Sequence, residues 1–278
     1  MRFALWWLAL VLGSAAAGTP ATDYAREERW AQEIVPSLVV GDPVYLATAA
    51  RPKILAILTV PSRDARGAVV LVHGLGVHPD WGLIGGLRTR LAEAGFVTLS
   101  VQMPVLAANA VRDDYKVTLP EAGERIDAAI AYLRSRNIAR IALVSHSMGA
   151  TMTNSYLAQR KAAPVDAWIP IGMFGAFAAR PHEAVLDVIA DNDLTEVLAA
   201  ASRRVAYLRK DGCSKQVTIP GADHYFDSRQ DELATTIATF LERVFERRCA
   251  SPEHPTAGMD PRATPARENY LTVAVERG

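Results

Sequence analysis

The sequence predicts an α/β protein, a mostly parallel, doubly wound sheet with helices on both faces. Three observations carry that prediction. Apolar strand-like runs alternate with amphipathic helical segments from residue 68 to residue 248, as crossover helices between parallel strands require. Ala68-Val69-Val70-Leu71-Val72 is continuously apolar and rich in β-branched residues, which suits a central strand covered on both faces. Arg140 to Met152, RIALVSHSMGATM, runs from an apolar segment through a serine turn into small residues that suit a helix start.

The 278 residues are half apolar, and acidic and basic residues balance at 30 each. This is a globular composition without the basic excess that phosphate-backbone binding leaves, which argues against a nucleic-acid partner. Residues 1–18, MRFALWWLALVLGSAAAG, read as a secretory signal: Arg2 is a minimal positive region, Phe3 to Leu12 an apolar core, and Ala15-Ala16-Ala17 a small-residue cleavage site. A retained anchor is the alternative, although the uncharged run is at the short limit for a bilayer of about 30 Å. The expectation is export, with the periplasm as compartment and secretion or N-terminal anchoring as alternatives. Membrane contact is then expected only through an uncleaved signal segment. The two cysteines, Cys213 and Cys249, are expected to pair in an oxidising compartment.

In chain order, Tyr24 to Ile34 is helical, and strands follow at Leu38–Leu46 and Lys53–Val60, an antiparallel start to the sheet. After strand 68–72 come a helix at about 82–94, a strand at 96–101, and a loop from Gln102 to Val117 without helical periodicity. Thr118 and Glu121 stand in capping-box relation ahead of an apolar stripe at Ala122, Ile126, Ala129, Ile130 and Leu133. Strand 140–144 leads through the serine turn to a helix ending near Arg160. Further strands are expected at 165–171 and 184–190, a helix at about 195–208, and a short last strand at 216–219. Ser228 is placed to cap a final helix with the face Leu233, Ile237, Phe240, Leu241, Val244 and Phe245. One domain over 19–250 follows. Residues 251–278 open with prolines at 252, 255, 261 and 265 and read as a flexible tail, with one short strand conceivable at 271–275. No internal repeat or metal-ligand spacing is found, and no cofactor is expected.

Open α/β sheets bind ligands at the carboxyl ends of their strands. Three turns fall there. His73-Gly74-Leu75-Gly76 lets the backbone turn tightly and present an amide, that of Leu75, to a developing oxyanion. It lacks the glycine and lysine patterns of phosphate loops. Ser145-His146-Ser147-Met148-Gly149 has a serine exposed between strand and helix, with the Met148 amide as a second oxyanion donor. It is one glycine short of Gly-x-Ser-x-Gly, Ser145 standing at the first position. Gly221-Ala222-Asp223-His224 follows the last strand and supplies a base. His73 and His146 lie inside the other two motifs and read as structural, while His78, His182 and His254 have no such context.

These motifs resemble the α/β-hydrolase superfamily over roughly residues 38–248. The stretches VLVHGLGVHPDWG, LSVQMP, EAGERI, LVSHSMGA and GADHYF resemble its DUF3530 branch of exported bacterial proteins. The resemblance implies Ser147 as nucleophile, His224 as general base, and an acid from the turn after the intervening strand. Asp193, three positions after Ala190, is preferred, with Asp191 as the alternative. It implies hydrolysis of a small-molecule or lipid-like carboxylic ester or thioester through an acyl-enzyme. Acyl transfer by the same residues, or a non-catalytic envelope scaffold on the same fold, are the competing readings. Only about a dozen residues separate the strands near Ile171 and Ala184, so a small cap or none is expected, with Gln102 to Val117 as the wall over the site. Trp81, Tyr115, Phe174, Phe177 and Tyr225 are candidates for an apolar acyl pocket or for ordinary core.

Overall fold

A computed structural model describes residues 20–249 of the chain. The signal-like residues 1–18, the proline-rich residues 251–278 with the strand suggested at 271–275, and His254 lie outside the described residues.

Eight strands build one sheet: β1 (Asp42–Leu46), β2 (Ile54–Thr59), β3 (Ala68–Val72), β4 (Val97–Val101), β5 (Ile141–His146), β6 (Ala167–Ile171), β7 (Ala184–Asn192) and β8 (Lys215–Asp223). Their order is β1-β2-β4-β3-β5-β6-β7-β8. Only β2 runs against the rest, pairing antiparallel with both β1 and β4, and every pair from β4 to β8 is parallel. Among the described residues the α-helices are α1 (Tyr24–Ile34), α2 (Gly82–Glu93), α3 (Leu119–Ser135), α4 (Met148–Ala158), α5 (Thr195–Val205) and α6 (Gln230–Phe245).

Alternation along the central strands divides the core in two. Val70, Val72 and Leu143 pack with Ile126, Ala129 and Leu133 of α3 and Met152 and Tyr156 of α4. Val69, Leu71 and Val144 face the other way, onto Leu87 and Leu91 of α2 and Leu233, Ile237 and Leu241 of α6. The doubly wound prediction therefore holds. One consequence positions the site. The chain leaves β3 toward α2 on one face and leaves the adjacent β5 toward α4 on the other. The two departing turns open a crevice at the carboxyl ends of β3 and β5, the topological switch point.

Several elements differ from expectation for physical reasons. The strand expected from Leu38 begins only at Asp42, because Val35–Ser37 continues α1 as a 3-10 turn with Pro36 at its start. The 102–117 loop is not wholly irregular, since Arg112–Thr118 is 3-10 helical. The capping box of Thr118 and Glu121 does not form. The Thr118 hydroxyl donates to the Tyr115 carbonyl (2.8 Å), and Glu121 accepts instead from Arg125 (2.5 Å) and Thr22 (2.6 Å). Pro120 in the first turn starts α3 without it. Ser228 caps nothing, as the residue before α6 is Arg229 and offers no side-chain cap. The last two strands extend beyond the expected ends to Asn192 and Asp223, with a bulge between them. Cys213 and Cys249 are disulfide-bonded, tying the entry to β8 to the chain beyond α6. Among the described residues no helix is long and apolar enough to cross a membrane.

Candidate active site

The serine turn is short because β5 ends at His146 and α4 begins at Met148, leaving Ser147 alone to reverse the chain. Its φ of 55° and ψ of −118° lie in a region that non-glycine residues seldom occupy. The Ser147 amide donates to the Ile171 carbonyl of β6 (2.9 Å), which pins the strained corner to the sheet. Gly149 has no room for a side chain, because a Cβ there would overlap the Val72 and His73 carbonyls. Ser145, the departure from the glycine pattern, is fully buried, and its hydroxyl accepts from the Trp168 indole N–H (2.9 Å). The extra hydroxymethyl group is therefore absorbed by the core behind the turn.

His224 follows β8, whose parallel pairing with β7 carries it back over the sheet. Its Nε2 lies 3.0 Å from the Ser147 hydroxyl oxygen, and its Nδ1 lies 2.6 Å from a carboxylate oxygen of Asp193. An ionised carboxylate can only accept, so the ring proton sits on Nδ1 and Nε2 faces the serine as an acceptor. Burial alone would raise the Asp193 carboxyl. The His224 contact, with amide donation from Leu194 (2.8 Å) and Ala190 (3.2 Å), outweighs that and holds it below the usual range. Asp191 is elsewhere, exposed at the bulge, where it accepts from the Gly221 amide (3.3 Å).

Two groups support the base: Gly172, which the sequence reading missed, and His146, which it read as structural. Gly172, just after β6, has φ +56°, and a Cβ there would sit 2.9–3.0 Å from the His224 ring. The ring thus occupies space that only glycine leaves open. His146 donates from Nε2 to the His224 carbonyl (2.9 Å), and burial, aided by the nearby His224 ring, pushes its imidazole down to about 4. Gly172 had one readable signal, its position at the carboxyl end of a sheet strand.

The glycine turn after β3 is braced from beneath. His73 donates from Nδ1 to the Gly74 carbonyl (2.9 Å) and accepts at Nε2 from the Met103 amide (2.9 Å). This needs a neutral ring, and burial supplies it by pushing the imidazole down to about 3. Arg26 of α1 donates to the carbonyls of Gly76 (3.0 Å) and Leu106 (2.8 Å). Leu75 and Met148 both border the crevice beside Ser147. Met148 opens α4, so its amide lies among the helix N–H groups that lack an intrahelical partner.

A cavity of about 880 Å³ lies over these groups and is lined mainly by apolar side chains, including Trp81, Ile84, Phe174, Leu194 and Tyr225. Of the five candidate aromatics, three therefore line it and two do not. Tyr115 is buried, with its hydroxyl accepting from the Leu106 amide, and Phe177 packs on Trp168 in the core. Residues 172–183 add no helix over the site, and Arg112 from the 102–118 segment forms part of the wall. Phe174 is fixed by the fully buried Arg204 of α5, which pairs with Asp187 (2.8 Å) and donates to the Met173 and Gly175 carbonyls. Among the described residues no group of three or more His, Cys, Asp or Glu has metal-holding geometry.

The chain has the α/β-hydrolase fold. Est1E from Butyrivibrio proteoclasticus matches with a TM-score of 0.59 at 16% identity, over 74% of this chain and 99% of its own. A dienelactone hydrolase from Anabaena variabilis matches with a TM-score of 0.56 at 18% identity, over 74% of this chain and 97% of its own. A serine hydrolase without a lid from Xanthomonas campestris matches with 0.55 at 16%, over 78% and 98%. Residues 45–124 match the family described as protein of unknown function, DUF3530. No curated protein matches the sequence.

Proposed function

We propose that the protein is a serine hydrolase acting on a carboxylic ester or thioester through an acyl-enzyme. The observation that carries this reading is the relay of Ser147, His224 and Asp193 at 3.0 and 2.6 Å, with Ser147 and His224 lining an apolar cavity and Asp193 buried behind them. A scaffold on the same fold would need neither a strained serine nor a histidine seated against it.

The chemistry follows from atom positions. As the Ser147 oxygen attacks the carbonyl carbon, its proton passes to His224 Nε2, and Asp193 stabilises the imidazolium. The carbonyl oxygen gains the negative charge and is met by the Leu75 and Met148 amides. Collapse of the tetrahedral intermediate expels the alcohol or thiol, which takes the proton from Nε2 and leaves the acyl group on Ser147. Water then enters, gives a proton to Nε2 and attacks the acyl carbon. The acid departs and the proton returns to Ser147.

Residues 1–18 and the Cys213–Cys249 disulfide support export to an oxidising compartment such as the periplasm. An activated short-chain ester should give a burst of about one equivalent of leaving group per enzyme, followed by slower turnover. Ser147→Ala, its fold checked by circular dichroism, loses the burst; unchanged turnover in that variant would sink the assignment.

A further inference from the structure

A second cavity, of about 470 Å³, adjoins the catalytic one, and Met148, Phe174 and Arg112 line both. Both are lined mainly by apolar surface, but the second also takes Lys116 and Arg203 into its wall. Three cations therefore face two acids. Lys116 is set against Asp113 at 3.2 Å, and Arg112 lies only loosely against Glu196 at 3.8 Å, with both side chains about half exposed. Arg203 has no carboxylate within salt-bridge distance among the described residues. Asp227, the acid on the wall of the catalytic cavity, does not reach the second one.

Arg112 is held in a defined pose. Its guanidinium carbon lies 4.2 Å over the Phe174 ring, whose centroid is 5.9 Å from that of His224. The cation–π contact positions the guanidinium, whose N–H groups make no hydrogen bond among the described residues and can donate to an oxyanion. The path from the reacting serine to these cations is apolar, formed by Met148 and Phe174. It suits a few methylene groups followed by a negative charge.

We propose that the acyl chain of the substrate runs from Ser147 past Phe174 and ends in an oxyanion, a carboxylate or a phosphate group, held by Arg112 and Arg203. This rests on the serine-hydrolase reading for the direction of the chain, but the subsite itself is testable without turnover.

Binding to the Ser147→Ala protein is measured by calorimetry with three esters of equal chain length: monomethyl glutarate, methyl 4-phosphonobutyrate and neutral methyl valerate. At least one charged ester is expected to bind about tenfold tighter than methyl valerate, the factor one charge-assisted hydrogen bond supplies. Which of the two binds better distinguishes a carboxylate from a phosphate. Arg112→Met and Arg203→Met each shrink the ratio, and Arg112→Lys restores part of it, which a purely structural role would not do. Equal binding of all three esters, or a ratio indifferent to both arginine substitutions, overturns the proposal. Separately, turnover of p-nitrophenyl valerate and of the mono-p-nitrophenyl ester of glutaric acid is followed in the enzyme with Ser147 intact. Failure of both esters counts against the triad, while the calorimetric ratio still decides the subsite.

Discussion

Asp193 and Asp191 are two positions apart in sequence yet differ in everything that decides a catalytic acid. Asp193 has a fully buried carboxylate, accepts two backbone amides and holds the Nδ1 proton of His224, whereas Asp191 is exposed against one amide. Asp193→Asn keeps the shape and removes the charge that orients and stabilises the imidazolium. It is expected to lower kcat by about 10³- to 10⁴-fold. Asp191→Asn should stay within about twofold, since it loses one exposed contact. Steady-state kinetics of the pair discriminate, and equal losses would move the acid away from Asp193. From sequence both aspartates were open, because a bulge between β7 and β8 decides which one turns inward. Ser145 was likewise readable only as a departure from a pattern. Its partner, Trp168, is 23 residues away on the neighbouring strand.

At the level of elements, the three turns were legible because each joins a strand to a helix and leaves a short signature in contiguous residues. What braces them was not. Arg26 reaches Gly76 across 50 residues and Leu106 across 80, so α1 could be read as a helix but not as a support of the glycine turn. Beside Arg26, Glu27 and Arg125 form a buried ion pair at 3.1 Å, fastening the helix to α3. The missing capping box has the same origin, as Arg125 and Thr22 compete for Glu121. If the brace sets the position of the Leu75 amide, Arg26→Met should lower kcat about tenfold with KM nearly unchanged. That is less than the 10²–10³ expected for losing an oxyanion donor outright. Arg26→Lys should recover part of the loss. A rise in KM alone would instead place Arg26 in substrate binding.

Across the whole molecule, the alternation of strand and helix sufficed to predict a doubly wound sheet, since that pattern is local and repeated. The crevice depends on which face each crossover takes, and the burial of His73 and His146 beneath it depends on the assembled sheet. Both histidines are neutral when folded, their rings pushed by burial to about 3 and about 4. Unfolded, each protonates near 6.5, so below that value the unfolded chain binds more protons and stability falls as pH drops toward the folded values. The limiting slope is about 1.4 kcal/mol per pH unit for each histidine. Burial raises the carboxyls of Glu27, Glu183 and Asp187, which tilts stability the other way. The readout is therefore a difference between proteins. In urea titrations at pH 6 and pH 5, His146→Asn should lose less stability than the unsubstituted protein, by an amount approaching that slope. Identical losses would mean that His146 is charged in the fold or already neutral without it.

An activated serine at position 147 is tested most directly by a covalent measurement. The protein is treated with a fluorophosphonate at neutral pH, and the adduct is located by peptide mass spectrometry, with Ser147→Ala treated in parallel. One adduct per chain is expected, on Ser147, absent from the variant and slowed strongly by His224→Ala. No adduct on the folded protein, or an adduct that persists in Ser147→Ala, would contradict it.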